Sequence, residues 1–219
     1  MQTTDITYTL TRKPVKHLRL CVREDGSVHV VAPLLFPKAK IEEFLEKRQS
    51  WIEKKQAFFR NREKIQLQFN ELLLFGNRYT YFYDTKYANK VVINEEHHTI
   101  RASRNLTDIA VQENWLKSVA KKYFDERAEQ LSIALNLPYN KLFVRTEKRK
   151  WGNCSSLKNI SLNWRLVKAP KFVIDYVIVH ELVHTIMMNH SHKFWTLLRS
   201  LYPDYEKAQN WLEKYGSSL

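Results

Sequence analysis

Residues 172–190 read FVIDYVIVHELVHTIMMNH, placing three histidines and a glutamate in or just past an almost wholly apolar run. In a helix, residues four apart are separated by about 40° around the axis and about 6 Å along it. His180 and His184 therefore project from one face. Burying them with Glu181 and no partner would be costly, so the pattern asks for one. A divalent cation answers that need, and zinc suits a pair of imidazoles because it takes nitrogen ligands without a d-electron preference in geometry.

Glu181 sits about 100° further round the helix and should stand outside the ligand set, within reach of a water molecule. Zinc lowers the pKa of its water to about 7, and Glu181 can take the proton as that water attacks a carbonyl, then return it to the leaving amine. A catalytic zinc keeps three protein ligands and one open position. His190 is the first choice for the third, with His192, Glu206 and Glu213 as alternatives. An unbroken helix would aim His190 roughly 240° from His184, so the helix must end first. Asn189 tolerates the left-handed conformation such a turn can use, and Ser191 can cap the next helix. Cys154 could ligate zinc but reads better as a small buried residue. Tyr202, Tyr205, Tyr215 and His192 are candidate donors to an oxyanion.

Working outward, KLFVRTEKRKWGNCSSLKNISLNWRL after Pro138 reads as strand, turn, strand, and Ala169-Pro170 opens the histidine-bearing helix. Apolar spacing predicts a helix over about 107–136 and two short ones near 193–201 and 204–215. Toward the N-terminus, ITYTLTRK, HLRLCVRE and VHVVAP read as strands, with an Asp-Gly turn before the third. One long helix over FPKAKIEEFLEKRQSWIEKKQAFFRNR follows. A second strand group, LLLFGNRYTYFYD, KVVINEE and HHTIRAS, has turns expected at Gly76-Asn77 and Ala88-Asn89. The expected fold class is α+β: a strand-rich N-terminal region with one long helix over 1–105, then a zincin-like helix–hairpin–helix unit over 106–219.

The chain has 219 residues, a net charge of +13 and two cysteines, Cys21 and Cys154. Distant cysteines suggest no disulfide framework, and no apolar run approaches the roughly 18–20 residues of a membrane span. With no signal-peptide pattern at the start, cytosolic residence is the simplest expectation. Residues 136–171 hold nine Lys or Arg against the single acid Glu147, whereas 172–219 hold four bases and five acids. Such a basic stretch can attract nucleic acid or acidic substrates, or serve as a solvated face.

Three blocks, KWGNCSS, ISLNWRL…P…VIDYVIVHELVH and NHSHKFW, resemble the YgjP-like zinc metallopeptidases, more distant relatives of the SprT-like proteases. RKPVKHLRLCVREDGSVHVVAP and WIEKK extend the resemblance over nearly the whole chain. The resemblance implies one zinc ion on His180, His184 and His190, catalytic Glu181, and a peptide or protein substrate. The family commonly has Ser where Asn153 stands and a residue other than His at 192. Peptidases of the His-Glu-x-x-His type offer an exposed strand edge above the metal, and EKRKWGNCSS is the candidate here. Gly152 would allow close backbone contact and Trp151 would wall the cleft, and Asn153 joins them as a candidate substrate-binding residue; packing of Trp151 and Trp164 onto the helix is the competing role. The expected function is a zinc-dependent metallopeptidase. Alternatives are an amide hydrolase on non-peptide substrates, a DNA-associated protease using the basic stretch 141–171, or a nucleic-acid module with structural zinc.

Overall fold

Alternating apolar residues build the first sheet of the computed structural model, which describes residues 6–60, 64–87 and 90–219. Strands β1 (Tyr8–Arg12), β2 (Arg19–Val22) and β3 (Val28–Ala32) lie in the order β1-β3-β2, β1 parallel and β2 antiparallel to β3. Val22, Val28, Val30 and Ala32 turn inward onto Ile41, Leu45 and Ile52 from two helices. The single helix expected here is divided into α1 (Lys38–Glu46) and α2 (Gln49–Arg60). The last turn of α1 tightens as Arg48 N–H bonds back to Leu45 O, three residues away, and the chain restarts at Gln49. These elements form one compact unit, residues 1–63.

The second unit, residues 64–219, contains the remaining elements. Strands β4 (Glu71–Leu74), β5 (Asn77–Tyr83), β6 (Val91–Asn94) and β7 (Thr99–Ala102) form a sheet in the order β4-β5-β7-β6. Its inner residues Leu72, Leu74, Tyr79, Tyr81 and Ile100 share a core with Leu116 and Phe124 of the long helix α3 (Ile109–Leu135). That shared apolar burial joins the sheet to the C-terminal half. The β4–β5 turn is Phe75-Gly76, one residue earlier than expected, with φ of 51° and 81°. Its N–H groups donate to Val167 O and Lys168 O, and a Cβ at Gly76 would lie 2.7 Å from Pro170 Cγ. Only glycine suits both that φ and that contact. The expected turn at Ala88-Asn89 lies outside the described residues.

Helix α3 starts at an Asp108 cap whose carboxylate accepts from Ala110 N and Val111 N, and stops at left-handed Asn136. The expected strand–turn–strand segment contains three strands: β8 (Leu142–Arg145), β9 (Gly152–Cys154) and β10 (Ile160–Asn163), in the order β8-β10-β9. Helix α4 (Lys171–Val183) follows, and its buried residues surround the helix: Val173, Ile174, Val177, Ile178, Leu182 and Val183 are among them. β-Branched residues are indifferent helix formers, so packing by α3, β9, β10, α5 (His192–Leu201) and α6 (Tyr205–Tyr215) stabilises it. A bidentate pair, Arg127 Nε and Nη2 to the Asp175 carboxylate at 2.7 and 2.8 Å, fixes α4 against α3. No described helix is long and apolar enough to cross a membrane, and both cysteines are free. The architecture is α+β.

Candidate metal centre and active site

The histidine helix ends at Val183, and its C-cap His184 keeps right-handed helical φ and ψ. Thr185 N–H then bonds Leu182 O and Ile186 N–H bonds Val183 O, tightening the chain into a turn. Asn189 is not left-handed, contrary to expectation; the chain leaves the helix through the turns at Thr185–Met187, where Met187 N–H also bonds Val183 O. Ser191 caps α5, its Oγ accepting from Phe194 N at 3.5 Å. The turn returns His190 to the two helical histidines.

The three Nε2 atoms form a nearly equilateral triangle. His180–His184 and His184–His190 are 3.2 Å apart, and His190–His180 3.0 Å. Four-coordinate zinc with bonds of about 2.0–2.1 Å holds its nitrogens about 3.3 Å apart, so the triangle fits. The protons fit as well. His184 Nδ1–H donates to Met187 O at 2.8 Å, which leaves the lone pair on Nε2, facing the triangle. Burial holds the His180 pKa down at about 3 and lowers that of His184, so both are neutral imidazoles, the state a metal requires. His180 Nδ1 is buried without a partner.

Phe194, fully buried, supports the triad: its ring centroid is 5.0, 4.6 and 4.8 Å from those of His180, His184 and His190. Trp195 stacks on His190 at 5.6 Å. Sequence reasoning assigned neither a role. The cap at Ser191 was the available signal, because it sets which residues of α5 face back toward α4. His190 is exposed, which opens the cradle to solvent. His192, Glu206 and Glu213 are exposed and stand outside the triad, and Cys154 does too. Burial raises the Cys154 thiol pKa, with the Glu181 charge adding to it.

Glu181 is 4% exposed, and its Oε2 has no hydrogen-bond partner. Burial pushes its pKa up to about 8, against the pull of the Lys150 charge. Directly over it runs β9. A Cβ built on Gly152 would lie 2.6 Å from Glu181 Oε1 and 2.8 Å from Cγ. Gly152 has no positive φ, so its requirement is space, not backbone conformation.

Strand β9 is an edge strand, antiparallel to β10 in the register Gly152↔Leu162, Asn153↔Ser161, Cys154↔Ile160. Asn163 N–H donates to Trp151 O and Ser155 N–H to Asn159 O, so the hydrogen-bonded pairs are 151/163, 153/161 and 155/159. The backbone groups of Gly152 and Cys154 therefore point outward from the sheet, while those of Asn153 are engaged with β10. Trp151 is half-buried against the core, and a Cβ at Gly216 would touch its ring at 3.0 Å. Of the proposed oxyanion donors, Tyr202 gives its proton to Phe172 O and Tyr205 to Glu206. Burial raises the Tyr202 pKa to about 12.

Three converging imidazoles beside a buried carboxylate are the equipment of metal-dependent hydrolases as a class. The chain belongs to the YgjP-like family, whose metallopeptidase-domain model matches residues 16–215. It is a hydrolase of the metallopeptidase type. Among solved structures it is similar to the metallopeptidase zymogen of Methanocaldococcus jannaschii jannalysin, at 23% identity and a TM-score of 0.36, covering 40% of this chain and 90% of that one. It is also similar to the metallopeptidase zymogen of Pyrococcus abyssi abylysin, at 21% identity and a TM-score of 0.36, over 40% and 86% of the two chains. No curated protein matches the chain.

Proposed function

We propose that the protein is a zinc-dependent peptidase in which His180, His184 and His190 hold one ion and Glu181 moves the proton. The observation that carries this reading is the triangle of Nε2 atoms 3.0–3.2 Å apart, next in sequence to a carboxylate buried under an edge strand. Zinc in that cradle would supply Lewis acidity, making water easier to deprotonate and a carbonyl easier to attack. Glu181, whose pKa burial lifts to about 8, suits proton exchange near neutrality. A dication nearby would draw it back toward the ionised form that accepts a proton. It then returns that proton to the departing amine.

The outward N–H and C=O groups of Gly152 and Cys154 would pair with an extended peptide. That pairing lays the scissile carbonyl across the Glu181 carboxylate. Trp151 and Asn153 flank this pairing edge. A small amide would leave the edge unpaired, so a peptide chain is the better fit.

The test is Glu181→Gln in zinc-loaded protein. Metal stoichiometry should stay at one ion per chain while hydrolysis of quenched-fluorescence peptides falls about 10²–10⁴-fold. Undiminished turnover, or loss of the metal, would remove Glu181 from the assigned role.

A further inference from the structure

Immediately before β9 come three consecutive bases, Lys148, Arg149 and Lys150, all exposed. Among the described residues no carboxylate forms an ion pair with any of them. Other bases of the same stretch are engaged with rings. Arg145 lies 4.9 Å over Phe143, Arg165 and Lys168 lie 4.7 and 5.3 Å over Trp164, and Lys171 lies 5.3 Å over Phe75. Among the described residues the charges of 148–150 have no such engagement.

The backbone carrying them is held from beneath by one side chain. Asn163, 4% exposed, donates from Nδ2 to Glu147 O at 2.9 Å and to Lys150 O at 3.4 Å. Its Oδ1 accepts from Arg165 N at 3.2 Å, and its own N–H donates to Trp151 O at 2.8 Å. A buried amide is costly unless its groups are bonded, and here the bonds fix the shape of a surface loop. Both ends of the tripeptide are tied down, and the chain then runs straight into the edge strand over Glu181. A recognition loop shaped in advance loses less entropy when it binds.

We propose that the pinned tripeptide Lys148–Lys150 is a specificity subsite that receives acidic side chains of a peptide paired along β9. This rests on the peptidase reading above. The bases precede Gly152 in a bent loop, since the single Asn163 Nδ2 reaches both Glu147 O and Lys150 O. Their charges therefore gather at the Gly152 end of the pairing edge, and acidic residues of a peptide that runs past that end meet them. A phosphodiester backbone lacks the N–H donors that the outward carbonyls of Gly152 and Cys154 call for, which favours the peptide.

The test uses zinc-loaded full-length protein and quenched-fluorescence peptides identical except for Glu, Gln or Lys at each of four positions on both sides of the cleaved bond. On one side, Glu should raise kcat/KM about tenfold over Gln at low ionic strength, Lys should depress it, and salt should erase the difference. In the triple variant Lys148→Gln, Arg149→Gln, Lys150→Gln the Glu-to-Gln ratio should fall to within about twofold of unity. Asn163→Asp, which loses both donated bonds, should also lower that ratio while metal content holds. Cleavage of Glu and Gln peptides at equal kcat/KM overturns the subsite and leaves the peptidase standing. Failure to cleave any peptide removes the peptidase reading, and the subsite with it. If the triple variant keeps its peptide preference but loses affinity for a single-stranded oligonucleotide, the bases belong to nucleic acid and the proposal is overturned.

Discussion

Replacing Gly152 by alanine puts a methyl where the Glu181 carboxylate now lies. The added carbon would sit 2.6, 2.8 and 2.9 Å from Glu181 Oε1, Cγ and Cδ. Ordinary carbon contacts begin near about 3.5 Å, so strand and carboxylate must separate by roughly 0.9 Å. Overpacking of this kind costs about 1–3 kcal/mol of stability. The larger effect is on catalysis, because a displacement of about 1 Å at a reacting group costs on the order of 10²-fold. Zinc stoichiometry, thermal melts and single-turnover hydrolysis read the three consequences separately. Metal content should hold, since the atoms nearest the added carbon all belong to Glu181; Tm should fall, and the rate should drop about a hundredfold. In a Glu181→Asp background the shorter side chain makes room, so the stability penalty of Gly152→Ala should shrink. Full additivity of the two substitutions, or wild-type Tm and rate for Gly152→Ala alone, would show that β9 does not rest on Glu181.

His190→Ala should weaken zinc binding by more than the roughly 10–100-fold typical of outer-shell partners, read by competition with a chelator; full occupancy would place the third ligand elsewhere. Phe194→Leu should cost about 1–3 kcal/mol and lower zinc affinity by loosening all three imidazoles, whereas a purely structural residue would move Tm alone. In metal-free protein, Glu181 has its pKa raised from 4.5 to about 8, so the folded state holds a proton that the unfolded chain releases. Its contribution to stability is present below 4.5 and is lost as pH rises through about 8. His180, lowered from 6.5 to about 3, acts in the opposite sense: its contribution is present above 6.5 and is lost as pH falls toward about 3. Denaturation of the metal-free form across pH should show stability declining between 6.5 and about 8, and Glu181→Gln should flatten that decline.

Features that depend on neighbours along the chain were legible from the residues. The i, i+4 spacing of His180 and His184, the Ser191 cap and the 107–136 helix all rest on local geometry, and each element lies where the pattern placed it. The α+β class followed from the same periodicities. Boundaries set by tertiary packing were not legible. The apolar stripe from Ile41 to Phe59 runs through the α1–α2 break without a glycine or an internal proline to mark it. Strands of four residues alternate alike whichever core they face, so the sheet of Leu72 and Ile100 gave no sign that it packs on α3.

The sequence by itself determined that His180 and His184 share one helix face with Glu181 beside them, and that the helix must end after His184 for His190 to approach, because backbone geometry converts spacing directly into direction. Only the tertiary structure decided that His190 closes the triangle, that Phe194 supports it, that Gly152 lies against Glu181 and that Asn163 holds the basic loop. These contacts join residues whose separation along the chain carries no angular information. Their positions depend on how α4, α5 and the β9–β10 pair bury apolar surface together, a long-range outcome to which no short window of sequence has access.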